Sequence, residues 1–150
     1  MFWGTLTARG PGRLIPVDGM MNSDKYKAIL TKHLVPVLKR EYPDGKAIFQ
    51  QDLAPCHTSA KMQKFFKDNK LNIMEWPGNS PDLNPIENLW AIIKRRITNQ
   101  DCSTMQKLIS AVIQTWYHDP KIADISSKLI DSMPNRVQEL LKAKSCHIQY

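Results

Sequence analysis

Two acidic residues carry the chemistry this sequence could perform, Asp52 and Glu87, with 34 residues between them. Glu87 lies in Asn84-Pro85-Ile86-Glu87, which reads as a helix start. Asn84 takes the N-cap, Pro85 the first helical position, and Glu87 the place of a capping-box acid. The plain role of such a glutamate is to cap its helix. Asp52 offers a second role, because it closes a strand-like run, Lys46 to Gln51, that breaks at Ala54-Pro55. A strand end and a helix entrance are rigid places. Carboxylates held on two such elements could turn oxygens toward one hard divalent cation such as Mg²⁺, which prefers oxygen ligands.

The elements that must position these acids can be read along the chain. Phe2 to Ala8 is a predicted strand, Arg9-Gly10-Pro11-Gly12 a turn, and Arg13 to Val17 the second arm of a hairpin. Ser23 caps a helix carrying Tyr26, Ile29, Leu30, Leu34, Val37 and Leu38 on one side, with a kink expected at Pro36. Tyr42-Pro43-Asp44-Gly45 turns the chain into the strand before Asp52. Thr58 or Ser59 starts a helix with Met62, Phe65 and Phe66 toward the core, and Asn72 to Trp76 is a last short strand. Pro81 and Pro85 hold the approach to Glu87 extended. Past Glu87 the helix continues, with Ile86, Leu89, Trp90, Ile93 and Ile97 forming one apolar stripe. Ser103 to Trp116 is another amphipathic helix. Ile122 to Lys142 is a final helical stretch interrupted near Met133-Pro134-Asn135. The order β-β-α-β-α-β-α-α describes a mixed α/β domain with helices covering a sheet.

The motifs around the two acids resemble a known family. Residues 50–58 read Gln-Gln-Asp-Leu-Ala-Pro-Cys-His-Thr, and residues 80–90 read Ser-Pro-Asp-Leu-Asn-Pro-Ile-Glu-Asn-Leu-Trp. With the 34-residue gap, they closely resemble the catalytic domain of Tc/mariner-type DDE transposases. Trp3-Gly4, Gly19 to Ser23 and Tyr26 to Leu30 extend the likeness from the start of the chain to about Asn99. The resemblance implies a single ribonuclease-H-like domain over residues 1–150, a mixed sheet flanked by helices. It also implies metal-dependent DNA strand cleavage and transfer, that is, transposition and integration in the nucleus. Three acids hold two divalent metals, Mg²⁺ or Mn²⁺, in that family. Asp52 matches the second acid and Glu87 the third, so both are the expected catalytic and metal-binding residues.

The family's first aspartate lies on the central strand, immediately upstream of the strand that Trp3-Gly4 resembles, and the chain as given begins at Met1. The expectation is therefore a partial domain lacking that strand, weak in metal binding and inactive by itself. Leu53 also departs from the family pattern, which has asparagine directly after the second aspartate; leucine offers no amide hydrogen bonds. One rival reading is a transposon-derived protein that binds DNA or a partner without catalysis. Another is a fragment of a longer, active enzyme.

Composition agrees with a polyanion-binding domain. A charge of +7, from 21 Lys and Arg against 14 Asp and Glu, favours nucleic acid or another polyanion without choosing among them. Lys94, Arg95 and Arg96 follow Glu87 along its helix and, with His57, are the candidate DNA contacts; they touch phosphates, not bases. Lys61, Lys64, Lys67 and Lys70 line the preceding helix, where a solvated face is the simpler reading. Cys56, Cys102 and Cys146 are odd in number and form no Cys-x-x-Cys pair, which argues against a disulfide framework or a zinc site. Adjacent residues on an extended chain point oppositely, so neither Cys56-His57 nor Cys146-His147 makes a good chelate. No apolar run reaches transmembrane length, and the first residues lack the apolar core of a signal peptide.

Overall fold

The structure is a computed structural model that describes residues 1–75 and 83–142. In chain order the elements are β1 (Phe2–Thr7), β2 (Gly10–Pro16), α1 (Ser23–Ile29), a π-helical turn (Leu30–Leu34), α2 (Val35–Glu41), β3 (Ile48–Phe49), α3 (Pro55–Thr58), α4 (Ala60–Asp68), β4 (Asn72–Ile73), α5 (Pro85–Ile97), α6 (Met105–His118), α7 (Pro120–Asp131) and α8 (Met133–Lys142). They fall into two compact units. One joins Met1–Pro16 to Ser80–Tyr150, and the other is Val17–Asn79.

The first unit is built on the antiparallel hairpin of β1 and β2, whose register runs from Phe2↔Pro16 to Thr7↔Gly10. The turn is tighter than the sequence predicts: it falls at Ala8 and Arg9, and the Gly-Pro-Gly segment belongs to β2. A bulge absorbs the difference. Between the pairs Gly4↔Leu14 and Leu6↔Pro11, Thr5 faces two residues, Gly12 and Arg13. Thr5 Oγ1 accepts the Arg13 N–H at 2.9 Å, and a Cβ on Gly12 would lie 2.2 Å from that hydroxyl oxygen. Helix α6 satisfies other backbone groups nearby. Trp116 Nε1–H donates to the Gly12 carbonyl at 3.0 Å, and Tyr117 Oη accepts the Leu14 N–H at 2.9 Å.

Leu14, Leu89, Ile93, Val112, Trp116 and Ile122 form the core of this unit. The stripe read from sequence on α5 is the face that meets it: Leu89 and Ile93 are buried, and Ile86, Trp90 and Ile97 pack partly buried against the same cluster. The expected break in the last helical stretch is present, at Ser132 between α7 and α8.

The second unit carries β3 and β4 as a parallel pair, Ile48↔Asn72 and Phe49↔Ile73. Both strands are shorter than their β-rich sequences predict, because a strand extends only as far as its neighbour pairs with it. Residues 76–82, including the expected end of β4 and the first half of the Glu87 motif, lie outside the described residues. The kink expected at Pro36 takes the form of the π-helical turn just before it, where the Val35 N–H reaches five residues back to the Leu30 carbonyl. Asn22, not Ser23, caps α1, its Oδ1 accepting the Lys25 N–H at 2.9 Å. Met62, Phe65 and Phe66 are buried on α4 as their spacing requires.

Candidate metal centre

Asp52 follows β3 in a segment without regular structure, and short-range bonds hold it there. Its Oδ1 accepts the Ala54 N–H at 3.0 Å, a side-chain turn that bends the backbone two residues on. Pro55 then opens α3, with φ already suited to a helix and no N–H to leave unsatisfied. One turn suffices to bring His57 back, its N–H on the Ala54 carbonyl at 2.8 Å. His57 Nδ1 meets Asp52 Oδ1 at 2.5 Å. The imidazole lies against the Tyr26 ring, centroids 4.0 Å apart and planes at 34°. Tyr26 is buried and donates from its phenol to Gln51 Oε1 at 2.7 Å. Burial, then the Asp52 carboxylate and Cys56, pushes the Tyr26 phenol well above its ordinary pKa.

Glu87 is the third residue of α5 and is exposed. Its N–H bonds the Asn84 carbonyl at 3.1 Å. Asn84 occupies the N-cap as expected, but its side chain makes no capping bond. The positive end of the helix dipole favours an acid at this place. Next to it, Asn88 Oδ1 accepts from Arg136 Nη1 at 2.7 Å, and Arg136 Nε donates to Ser132 Oγ at 2.8 Å. Arg136, only 2% exposed, thus ties α8 to the first turn of α5.

Asp52 belongs to the second unit and Glu87 to the first. Among the described residues, no three His, Cys, Asp or Glu side chains gather as a metal-binding group. The donor chemistry of the two acids nevertheless fits a hard divalent cation. Among the described residues, the hydrogen bonds to Asp52 fall on Oδ1 and none on Oδ2, and its side chain is 55% exposed.

The basic candidates differ in their commitments. Lys94 and Arg95 are exposed on α5, whereas Arg96 is paired with Asp119 at the start of α7. His57 is engaged with Asp52. Lys61 pairs with Asp24 at 2.6 Å and Lys64 with Asp68 at 3.3 Å. Lys70 does not line α4: it lies past the helix end in a left-handed conformation, φ 53°. Sequence reasoning missed the His57–Asp52, Arg96–Asp119 and Arg136–Asn88 pairs. Only the first leaves a local signal, a histidine one proline-led turn beyond the acid.

Comparison with known proteins places these motifs. The family model described as "DDE superfamily endonuclease" matches residues 2–109. The Tc3 transposase of Caenorhabditis elegans is 34% identical over 152 residues, covering 100% of this chain and 45% of the relative. The Tc1 transposase of the same organism is 32% identical over 150 residues, covering 100% and 54%. The chain therefore spans about half the length of the curated relatives it matches. Among solved structures, the catalytic domain of Mos1 mariner transposase superposes with a TM-score of 0.80 at 19% identity, over 95% of this chain and 72% of that one. A pre-cleavage Mos1 transpososome gives 0.82 at 18% identity, over 96% and 44%. The mixed α/β architecture is thus that of the Mos1 catalytic domain, ribonuclease-H-like, as the motifs imply. The chain belongs to the DDE endonuclease superfamily, as a transposase catalytic domain of the Tc/mariner type.

Proposed function

We propose that this domain cleaves and joins DNA strands in transposition, with Asp52 and Glu87 as two of the ligands to a divalent cation. One observation carries the reading: Asp52 sits in the family motif with one oxygen tied down and the other unclaimed by any hydrogen bond among the described residues. Mg²⁺ or Mn²⁺, when bound, would offset the charge that builds on phosphodiester oxygens during cleavage. The chain's own part is to present the two carboxylates, Asp52 from the bonded turn after β3 and Glu87 from the first turn of α5, and to bring DNA to them. Lys94 lies seven residues from Glu87, two turns along nearly the same side of α5, and with Arg95 presents exposed positive charge to phosphates. Arg96 contributes to that field while tied to Asp119. Genomic DNA as substrate makes the nucleus the working compartment; among the described residues no helix is long and apolar enough to cross a membrane.

A polypeptide of these 150 residues supplies two of the family's three acids, so weak cation binding and no cleavage by itself are expected. Titrating it with Mn²⁺ and mapping paramagnetic NMR broadening tests the assignment. Broadening should centre on the backbone around Asp52 and Glu87 and disappear in Asp52→Ala. A centre elsewhere, or one unchanged by that substitution, defeats the site.

A further inference from the structure

We infer that Tyr26 and His57 form a cradle that orients the Asp52 carboxylate, with His57 as a positioning residue for the cation rather than a DNA contact. The inference rests on the proposed role of Asp52 as a cation ligand and says how that ligand is presented.

An ionised carboxylate only accepts hydrogen bonds, so the 2.5 Å contact requires His57 to donate from Nδ1. That choice fixes the tautomer of the neutral ring. Asp52 Oδ1 then receives two donors, the Ala54 N–H and the imidazole N–H, and is saturated in the direction of the loop. The cation is left one oxygen, Oδ2, at a fixed rotation of the carboxylate. The imidazole can hold it because it is itself held. Its side chain is only 17% exposed, and the Tyr26 ring covers one of its faces. Tyr26, 1% exposed, also fixes the residue before the ligand through its phenol bond to Gln51. One buried aromatic on α1 therefore steadies both sides of Asp52, Gln51 by hydrogen bond and His57 by ring contact. Ordering the carboxylate in advance removes rotational freedom that cation binding would otherwise have to freeze, and hydrogen-bonded partners of metal ligands commonly change affinity by about 10–100-fold.

Two readouts on the 150-residue chain test the cradle. Long-range ¹H–¹⁵N NMR on the protein without metal should show His57 protonated at Nδ1, and Asp52→Ala should release that preference. Mn²⁺ affinity, followed by the EPR signal of the free ion, should fall about tenfold in His57→Ala. His57→Asn, whose amide nitrogen reproduces the Nδ1 position, should recover most of it. His57→Gln, which places the amide near Nε2, should not. Tyr26→Phe keeps the ring contact and should cost less than Tyr26→Leu. A wild-type His57 protonated at Nε2 overturns the inference without reference to any metal, and needs no variant to fold. So does an His57→Ala chain that binds Mn²⁺ as tightly as wild type while Asp52→Ala does not, and in that case the site itself stands. Mn²⁺ affinity indifferent to Asp52→Ala instead defeats the metal-site reading, and the tautomer alone then decides the cradle.

Discussion

Replacing Gly4 by alanine tests how the hairpin holds the helix that carries Glu87. Gly4 lies on β1 opposite Leu14, under two tryptophans that stack on each other, Trp90 of α5 and Trp116 of α6, ring centroids 5.0 Å apart. A Cβ at Gly4 would come within 2.9 Å of Trp116 Cη2 and 3.0 and 3.1 Å of Trp90 Cζ2 and Cη2. Neither ring has an easy way out. Trp116 is 1% exposed and anchored by its bond to the Gly12 carbonyl, and the half-buried Trp90 is stacked on it. Inserting a methyl into packing of this kind costs ~1–3 kcal/mol. Alanine recovers ~0.4–1 kcal/mol by restricting the unfolded chain. Taking the middle of each range, the net loss of about 1.3 kcal/mol lowers the melting temperature by about 3–5 °C in a chain of this size. Calorimetry or circular dichroism reads the shift. The same substitution in a Trp90→Leu background should cost less, because Trp116 then has room to slide, with a coupling energy above ~0.5 kcal/mol in the double-mutant cycle. A Gly4→Ala protein that melts at or above the wild-type temperature would refute the reasoning, and strict additivity in the cycle would refute the role given to Trp90.

Three further outcomes are expected. DNA binding should be weak, indifferent to sequence and steeply salt-dependent; Lys94→Gln and Arg95→Gln should each lower the slope of log affinity against log salt by up to ~1, and two unrelated duplexes across a salt series measure it. The 150-residue chain should not nick DNA with Mg²⁺ or Mn²⁺, whereas an upstream graft of a strand bearing an aspartate should confer nicking that Glu87→Ala abolishes and a graft with alanine in its place does not; nicking by the ungrafted chain that survives Glu87→Ala rules the two acids out. Asp101 should titrate at about 2, held low first by its bond to Lys107 Nζ and then by Ser103. Because its folded pKa is depressed, its stabilising share is present above the ordinary carboxylate range and lost as pH falls from about 4 toward 2; carboxyl NMR checks it, and Lys107→Met should move the midpoint up.

Much of the fold was legible because it is local. The apolar stripe of α5, Met62, Phe65 and Phe66 on α4, and the break after α7 each follow from side-chain spacing along one helix. Pro85 and Asn84 mark where α5 begins for reasons confined to two residues. The motifs around Asp52 and Glu87 identify the family because their residues are contiguous. Where a neighbour competes, local reading slips. The Gly-Pro-Gly segment looks like a turn, yet it is a bulged strand, with Trp116 on the Gly12 carbonyl and Thr5 on the neighbouring Arg13 N–H.

Long-range partners were settled by tertiary structure alone. Nothing in the sequence pairs Asn88 with Arg136 or Arg96 with Asp119, since residues 48 and 23 positions apart meet only when helices pack. The same holds for Tyr26, whose spacing marks it as core but not as the wall behind His57. His57 itself reads as a basic residue near a metal motif, suited to phosphate. The turn of α3 brings its Nδ1 to Asp52, and the packing of α3 on α1 adds the Tyr26 ring against which the imidazole lies. Sequence by itself thus determined the family, because its motifs are contiguous runs of residue types. The tertiary structure decided what backs His57 and Gln51, because the Tyr26 ring and phenol come from α1, a helix that no local spacing places against them.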